Sequence, residues 1–345
     1  VTAVTSVFAG NAATPSGVSD AEWRIDDGVE TSMPANFGAV TVIPVNGQGA
    51  EDVLVDAGGF VYTGLADGRI VRIAPDGRRI DHVADTGGRP LGLEFLTEDE
   101  LLVCDADRGL LAVSLGGEVR TLTDTVDGRR LLVCNNAAVG RDGTVYFSDS
   151  STRYPVTQWR SDLIEQTGTG RLFRRLPDGT VDLLASGLQF ANGVALAPDE
   201  SFVTVAETGA CRVRRVRLGG EGAGRAETFV DELSGYPDNT STGSDGLIWI
   251  TQASPKVAAL DVVRRLPGPL RAAVRRAPLW AQPSPARTVG VLGVAADGTV
   301  VHELSGEIDG FHMLTGVRER DGRLYFGSLE ESAIAVTAVP GSASR

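Results

Sequence analysis

Residues 135–149 read NNAAVGRDGTVYFSD. A polar pair opens the stretch, a short apolar run follows, and an Asp-Gly turn leads into a second run of β-branched and aromatic residues. An Asp-Gly step between two such runs is a strong short-range signal for a β-hairpin. The second half of this pattern returns as GGFVYTG at 58–64, DELLVCD at 99–105, DESFVTVAE at 199–207, DGLIWIT at 245–251 and DGRLYFGS at 321–328, six copies in all. Runs between them, such as GRIVRIAPDGRRI and GRLFRRLPDGTVDLL, supply further strands for antiparallel units of four. Six units of about 40 to 50 residues predict an all-β chain folded as one six-bladed β-propeller, in which radial repetition leaves only short edges.

Aligning the copies on their turns exposes a column seven residues ahead of each turn: Glu51, Gly92, Asn135, Asn192, Asp238 and Leu314. Its spacings are 41, 43, 57, 46 and 76, so one interval needs a large insertion. Equivalent positions of successive blades ring the axis, which gathers two carboxylates and two amides from distant parts of the chain. Such a hard, anionic donor set without His or Cys suits Ca²⁺ first and Mg²⁺ or Mn²⁺ next.

Composition narrows the partner. The chain has 345 residues, 45 acidic against 32 Lys and Arg, and a formal charge of −13. That balance excludes a nucleic-acid footprint and argues against an anionic membrane, leaving a small molecule as the expected partner. Lys256 is the single lysine, so a phosphate-loop or Schiff-base lysine has almost nowhere to sit, and neither a Walker loop nor a G-x-S-x-G elbow occurs. No apolar run approaches the roughly 18 residues of a membrane span. Cys104, Cys134 and Cys211 form no C-x-x-C pair, which predicts free thiols in a reducing, cytoplasmic compartment. The long interval holds residues 254–287, where Val262, Leu266, Leu270 and Val274 fall at helical spacing and Pro267 and Pro269 interrupt them. Two short helices are expected there, capping the pocket mouth before the last blade; a basic amphipathic segment lying on a membrane is the competing reading.

The stretches GAEDVLVDAGGFVYTGLADGRI (49–70), NNAAVGRDGTVYFSDSSTRYP (135–155), GRLFRRLPDGTVDLLASGLQFANGVALAPDE (170–200), AETGACRVRRVRL (206–218) and FVDELSGYPDN (229–239) together resemble the strictosidine-synthase-like branch of the gluconolactonase and senescence-marker-protein superfamily, which also includes the adipocyte plasma-membrane-associated proteins. The likeness runs from about residue 45 to 335. It implies a six-bladed propeller and a Glu, Asn, Asn, Asp metal shell on Glu51, Asn135, Asn192 and Asp238, holding calcium or another divalent ion. It also implies a departure: the alkaloid-forming enzyme that names the branch has a catalytic glutamate on its last blade, where this chain has Thr315.

These readings converge on a metal-dependent hydrolase of a lactone or related ester. An axial ion polarises a carbonyl and binds water, and a base is then required. Asp238 is the first candidate, since a monodentate ligand keeps one oxygen free. His312, two residues before Leu314 and on the same side by strand alternation, is the second. Asn136, Tyr154 and Phe190 lie near the metal motifs and are expected to face the substrate. A biosynthetic enzyme forming or breaking C–C or C–N bonds and a noncatalytic binding propeller are the alternatives.

Overall fold

The structure, a computed structural model, describes residues 35–341. The expected single domain over 1–345 extends across residues 1–34 and 342–345, which lie outside the described residues.

Six four-stranded antiparallel sheets follow one another along the chain. Each recurring run becomes the second strand of a blade, as in Val145–Asp149 of the third and Arg323–Ser328 of the sixth. The turns behave as their residues dictate. Asp142 Oδ1 accepts the Thr144 N–H at 2.8 Å, and Gly143 takes a φ of 80° that a side chain would resist. The innermost strands, Leu54–Val55, Pro90–Thr97, Cys134–Val139, Ala191–Leu196, Gly235–Thr242 and Leu314–Arg320, ring the axis. Apolar residues of neighbouring blades interlock between them, as where Leu102 and Leu110 of the second blade meet Phe147 and Phe173 of the third.

The circle closes by a device that the repeat count does not reveal. Thr41–Pro44 pairs antiparallel with Ala333–Ala338 and becomes the outer strand of the last blade. An early and a late strand of the described residues thus share one sheet, which covers an otherwise open edge.

The ends of second strands hold the entries to their own blades. Asp105, Asp149, Glu207 and Gln252 accept the backbone N–H groups of Arg89, Val133, Gln189 and Gly235 at 3.0, 2.8, 2.8 and 2.6 Å. Each such bond fixes the segment just ahead of an axial residue.

The helical cap stands before the last blade as expected, within the fifth blade between Ile248–Pro255 and Val289–Val294. It departs from expectation in two respects. A third helix joins it from the third blade: α1 (Trp159–Glu165) packs against α2 (Ala258–Arg264) and α3 (Gly268–Arg276). The packed stripe is also different, because Val257, Leu260, Val263 and Val274 meet the core while Val262 and Leu270 face outward, 61% and 53% exposed. Arginines staple the assembly. Arg264 Nε and Arg271 Nη1 donate to the carbonyls of Leu163 and Glu165 at 2.9 and 3.1 Å, and Arg275 Nε meets the Glu165 carboxylate at 2.6 Å. Cations there satisfy the free carbonyl end of α1 and its dipole.

Candidate metal centre and substrate pocket

Five of the six inner strands break register at one level: between Pro90 and Leu93, Cys134 and Ala137, Ala191 and Val194, Pro237 and Thr240, and Leu314 and Val317. Such bulges re-aim side chains, and here they repeat around the axis. Each break frees two residues. The first of each pair, Leu91, Asn135, Asn192, Asp238 and Thr315, lines one pocket together with Glu51 of the first blade. The turn-aligned column therefore holds for the four oxygen donors and slips by one at Gly92 and Leu314. An extra irregularity between Phe95 and Thr97 and the tight pairing of Arg320 with Arg323 change the count from turn to axis in those two blades.

The second residues form a lower ring: Asp52, Gly92, Asn136, Gly193, Asn239 and Gly316, in which side chains and glycines alternate. The glycines are required by close approach. A Cβ on Gly193 would stand 2.2 Å from the Thr240 nitrogen, and one on Gly316 2.7 Å from the Asp52 Cα. Asp52 Oδ2 accepts the Leu93 N–H at 3.0 Å and Asn136 Oδ1 accepts the Val194 N–H at 2.8 Å, each bond tying two blades. Asn136, expected against the substrate, thus lies in the channel floor with its amide oxygen committed, outside the residues lining the pocket.

Orientation of the upper donors follows from their neighbours. Thr208 Oγ1 gives its only proton to the Pro237 carbonyl at 2.7 Å, so it can only accept from Asn192 Nδ2, 3.1 Å away. That contact turns Asn192 Oδ1 away from Thr208. Asn135 Nδ2 likewise donates to Ser150 Oγ at 2.9 Å. Both amide oxygens are buried and without a hydrogen-bond partner, as is Asn239 Oδ1 below them. Asn239 Nδ2 reaches both carboxylate oxygens of Glu51 at 3.2 Å.

The carboxylates are perturbed in one direction. Burial, then the charges of Asp238 and Asp52, push Glu51 well above the usual carboxyl range. Burial lifts Asp238 to about 7, with relief from the Asn192 side chain. Asp52, also buried, rises to about 6. Crowded buried acids beside orphaned amide oxygens are costly alone. A divalent cation would neutralise the first and satisfy the second, so the donor set fits such an ion. Among the described residues no group of three or more His, Cys, Asp and Glu is placed to hold a metal; the set here is two carboxylates with two amides.

Above the ring the pocket, its open mouth included, holds about 840 Å³ of empty space and opens toward the cap. Its walls are chiefly apolar, with Leu91, Leu163, Ile164, Phe190, Tyr236 and Leu260 prominent. Phe190 lines it as expected in sequence, and Phe190 and Met313, each just ahead of an inner strand, hold φ values of 61° and 49°. Bulky residues adopt that region at a cost. Tyr154 is placed elsewhere, its ring 5.4 Å from the Arg275 guanidinium and its hydroxyl bonded to Glu165. His312 also stands outside the lining: Nδ1 contacts Glu331, and Nε2 lies 3.2 Å from Glu330. Strand alternation misplaces it because Met313 turns left-handed before the strand begins. Trp159, Arg160, Leu163 and Ile164 of α1 line the pocket and were missed; the apolar i, i+4 pair Trp159 and Leu163 was their one sequence signal.

The blades and their axial ring define a six-bladed β-propeller. A gluconolactonase from Xanthomonas campestris shares the architecture with a TM-score of 0.64 and 16% identity, covering 90% of this chain and 96% of that one. The calcium-binding protein regucalcin from Agrobacterium tumefaciens does so with a TM-score of 0.62 and 14% identity, covering 89% and 96%. Within that class the chain belongs to the strictosidine-synthase-like family. The strictosidine synthase profile matches residues 135–221 and the strictosidine synthase-like N-terminal profile residues 38–73. A strictosidine synthase-like protein of Arabidopsis thaliana is 33% identical over 282 residues, 80% of this chain and 75% of the relative.

Proposed function

We propose that the protein is a metal-dependent hydrolase of an apolar lactone or ester. The observation that carries this reading is the convergence of two raised carboxyls and two orphaned amide oxygens at the floor of an apolar pocket. Glu51, Asn135, Asn192 and Asp238 would hold a divalent ion, calcium by donor type, which supplies a Lewis acid for an ester carbonyl. The fold shared with a gluconolactonase and a calcium-binding regucalcin supports the choice.

The chain's own residues do the remainder. Asp238 faces the pocket and is the base, taking the proton of the attacking water at its carboxylate. Asn239 holds the Glu51 carboxylate and Thr208 the Asn192 amide. The apolar walls exclude bulk water and seat the acyl part of the substrate, with few groups to meet the hydroxyls of a sugar lactone. Thr315 Oγ1 donates to the Glu51 carbonyl at 2.7 Å and offers no carboxylate, so an amine–aldehyde condensation lacks its base.

The test is a panel of apolar-chain lactones and esters, sugar lactones and amine–aldehyde pairs, assayed with calcium and with chelator. Calcium-dependent hydrolysis of the apolar members is expected, lost in Asp238→Asn by about 10²- to 10⁴-fold at saturating metal and kept in His312→Gln. Hydrolysis indifferent to chelation, or turnover confined to the amine–aldehyde pairs, overturns the reading.

A further inference from the structure

The apolar residues that the cap turns outward are concentrated. Trp280 is 86% exposed, Leu279 66%, Val262 61% and Leu270 53%, and all four belong to residues 254–287. On α3 the outward side is Leu270, Ala273 and Arg276, opposite Arg271, Val274 and Arg275, which are partly buried. Large apolar side chains left in water at this density mark a surface that meets a partner.

Charge identifies the partner. Residues 254–287 contain Lys256 and six arginines against one acid, Asp261, within a chain whose total is −13. Arg264, Arg271 and Arg275 are spent on α1 and its neighbours. Arg265, Arg276 and Arg287 are exposed, and among the described residues no carboxylate pairs with them. A helical segment with Trp and Leu beside free arginines has the composition of an interfacial element, whose rings sit at the headgroup level while guanidinium groups meet lipid phosphates. A two-fold contact with a second copy would instead set these arginines against each other. Among the described residues no helix is long and apolar enough to cross a bilayer, so the contact is with the surface.

We propose that the outer face of this insertion docks on an anionic lipid bilayer. Val257, Leu260, Pro283, Ser284 and Pro285 of the same insertion line the pocket, so docking sets the pocket mouth close to the membrane. The acidic remainder of the chain orients the approach, since residues 254–287 are the positive segment that an anionic surface attracts. The proposal goes beyond the hydrolase reading and does not depend on it.

The experiment is co-sedimentation of the full chain with phosphatidylcholine vesicles, with and without phosphatidylserine, at low and physiological salt. Binding to the serine-containing vesicles, weakened by salt, is expected. Arg265→Ala, Arg276→Ala and Arg287→Ala together should lower it about a hundredfold, roughly fivefold per arginine. Leu279→Ser with Trp280→Ser should lower it comparably, with circular dichroism unchanged in both variants. No vesicle binding, or binding by both variants as tight as that of the unaltered chain, overturns the proposal. So does a dimer in sedimentation equilibrium that the variants disperse, which would make the face a contact between chains.

Discussion

Stripping the ion should make the protein lose stability as pH rises, and the size of that loss follows from the axial acids. Asp238 is held at about 7 in the folded chain, against roughly 3.9 when unfolded. The folded chain therefore binds this proton more tightly. The stability it contributes is fully present below about pH 4 and is lost as pH climbs through about 7. Linkage puts the loss between pH 5 and 8 at about 3 kcal/mol for Asp238. Asp52, raised to about 6, adds about 1 kcal/mol over the same interval, and Glu51 acts in the same direction. Urea unfolding at pH 5 and 8, with chelator and with excess calcium, reads this directly. The chelated protein should be weaker at pH 8 by about 4 kcal/mol, and calcium should restore it. Asp238→Asn in chelator should flatten the dependence and exceed the unaltered protein at pH 8, since it deletes the buried charge. A chelated protein equally stable at both pH values would refute the reasoning, as would an Asp238→Asn variant weaker than the unaltered chain at pH 8.

The supporting residues give narrower expectations. Thr208→Val removes the acceptor that orients Asn192 and should weaken calcium binding about 10- to 100-fold by calorimetry, with Thr208→Ser restoring it; full affinity in the valine variant would show that the orientation is set elsewhere. Gly193→Ala puts a methyl 2.2 Å from the Thr240 nitrogen and should cost about 1 to 3 kcal/mol in denaturant unfolding; an unchanged midpoint would mean that the lower ring is looser than drawn.

Much of the molecule was legible in its sequence because the repeat carries local signals. Asp-Gly turns and alternating runs mark second strands such as Val145–Asp149 and Arg323–Ser328, and six of them specify the blade number. The four donors were legible for the same reason, since a common distance from the turn survives in their blades. Gly92 and Leu314 were misread where a bulge or a tight turn altered that distance. Asn136 and His312 show a different limit. Their facing depends on bulges and on a left-handed residue at the strand entry, neither of which has a signature in residue type. The closing strand Thr41–Pro44 was invisible because its partner lies at the other end of the chain. The cap's exposed face was hidden because helical spacing marks an apolar stripe without saying what covers it.

The central claim, that the axial ring holds one divalent ion, is tested most directly by a crystal structure of the calcium-loaded protein with anomalous scattering to locate the ion. The expected result is one ion per chain, with side-chain oxygens of Glu51, Asn135, Asn192 and Asp238 at about 2.3 to 2.6 Å. An ion bound away from the axis, or an axis that stays empty in saturating calcium with Asn135 and Asn192 turned to other partners, would contradict it.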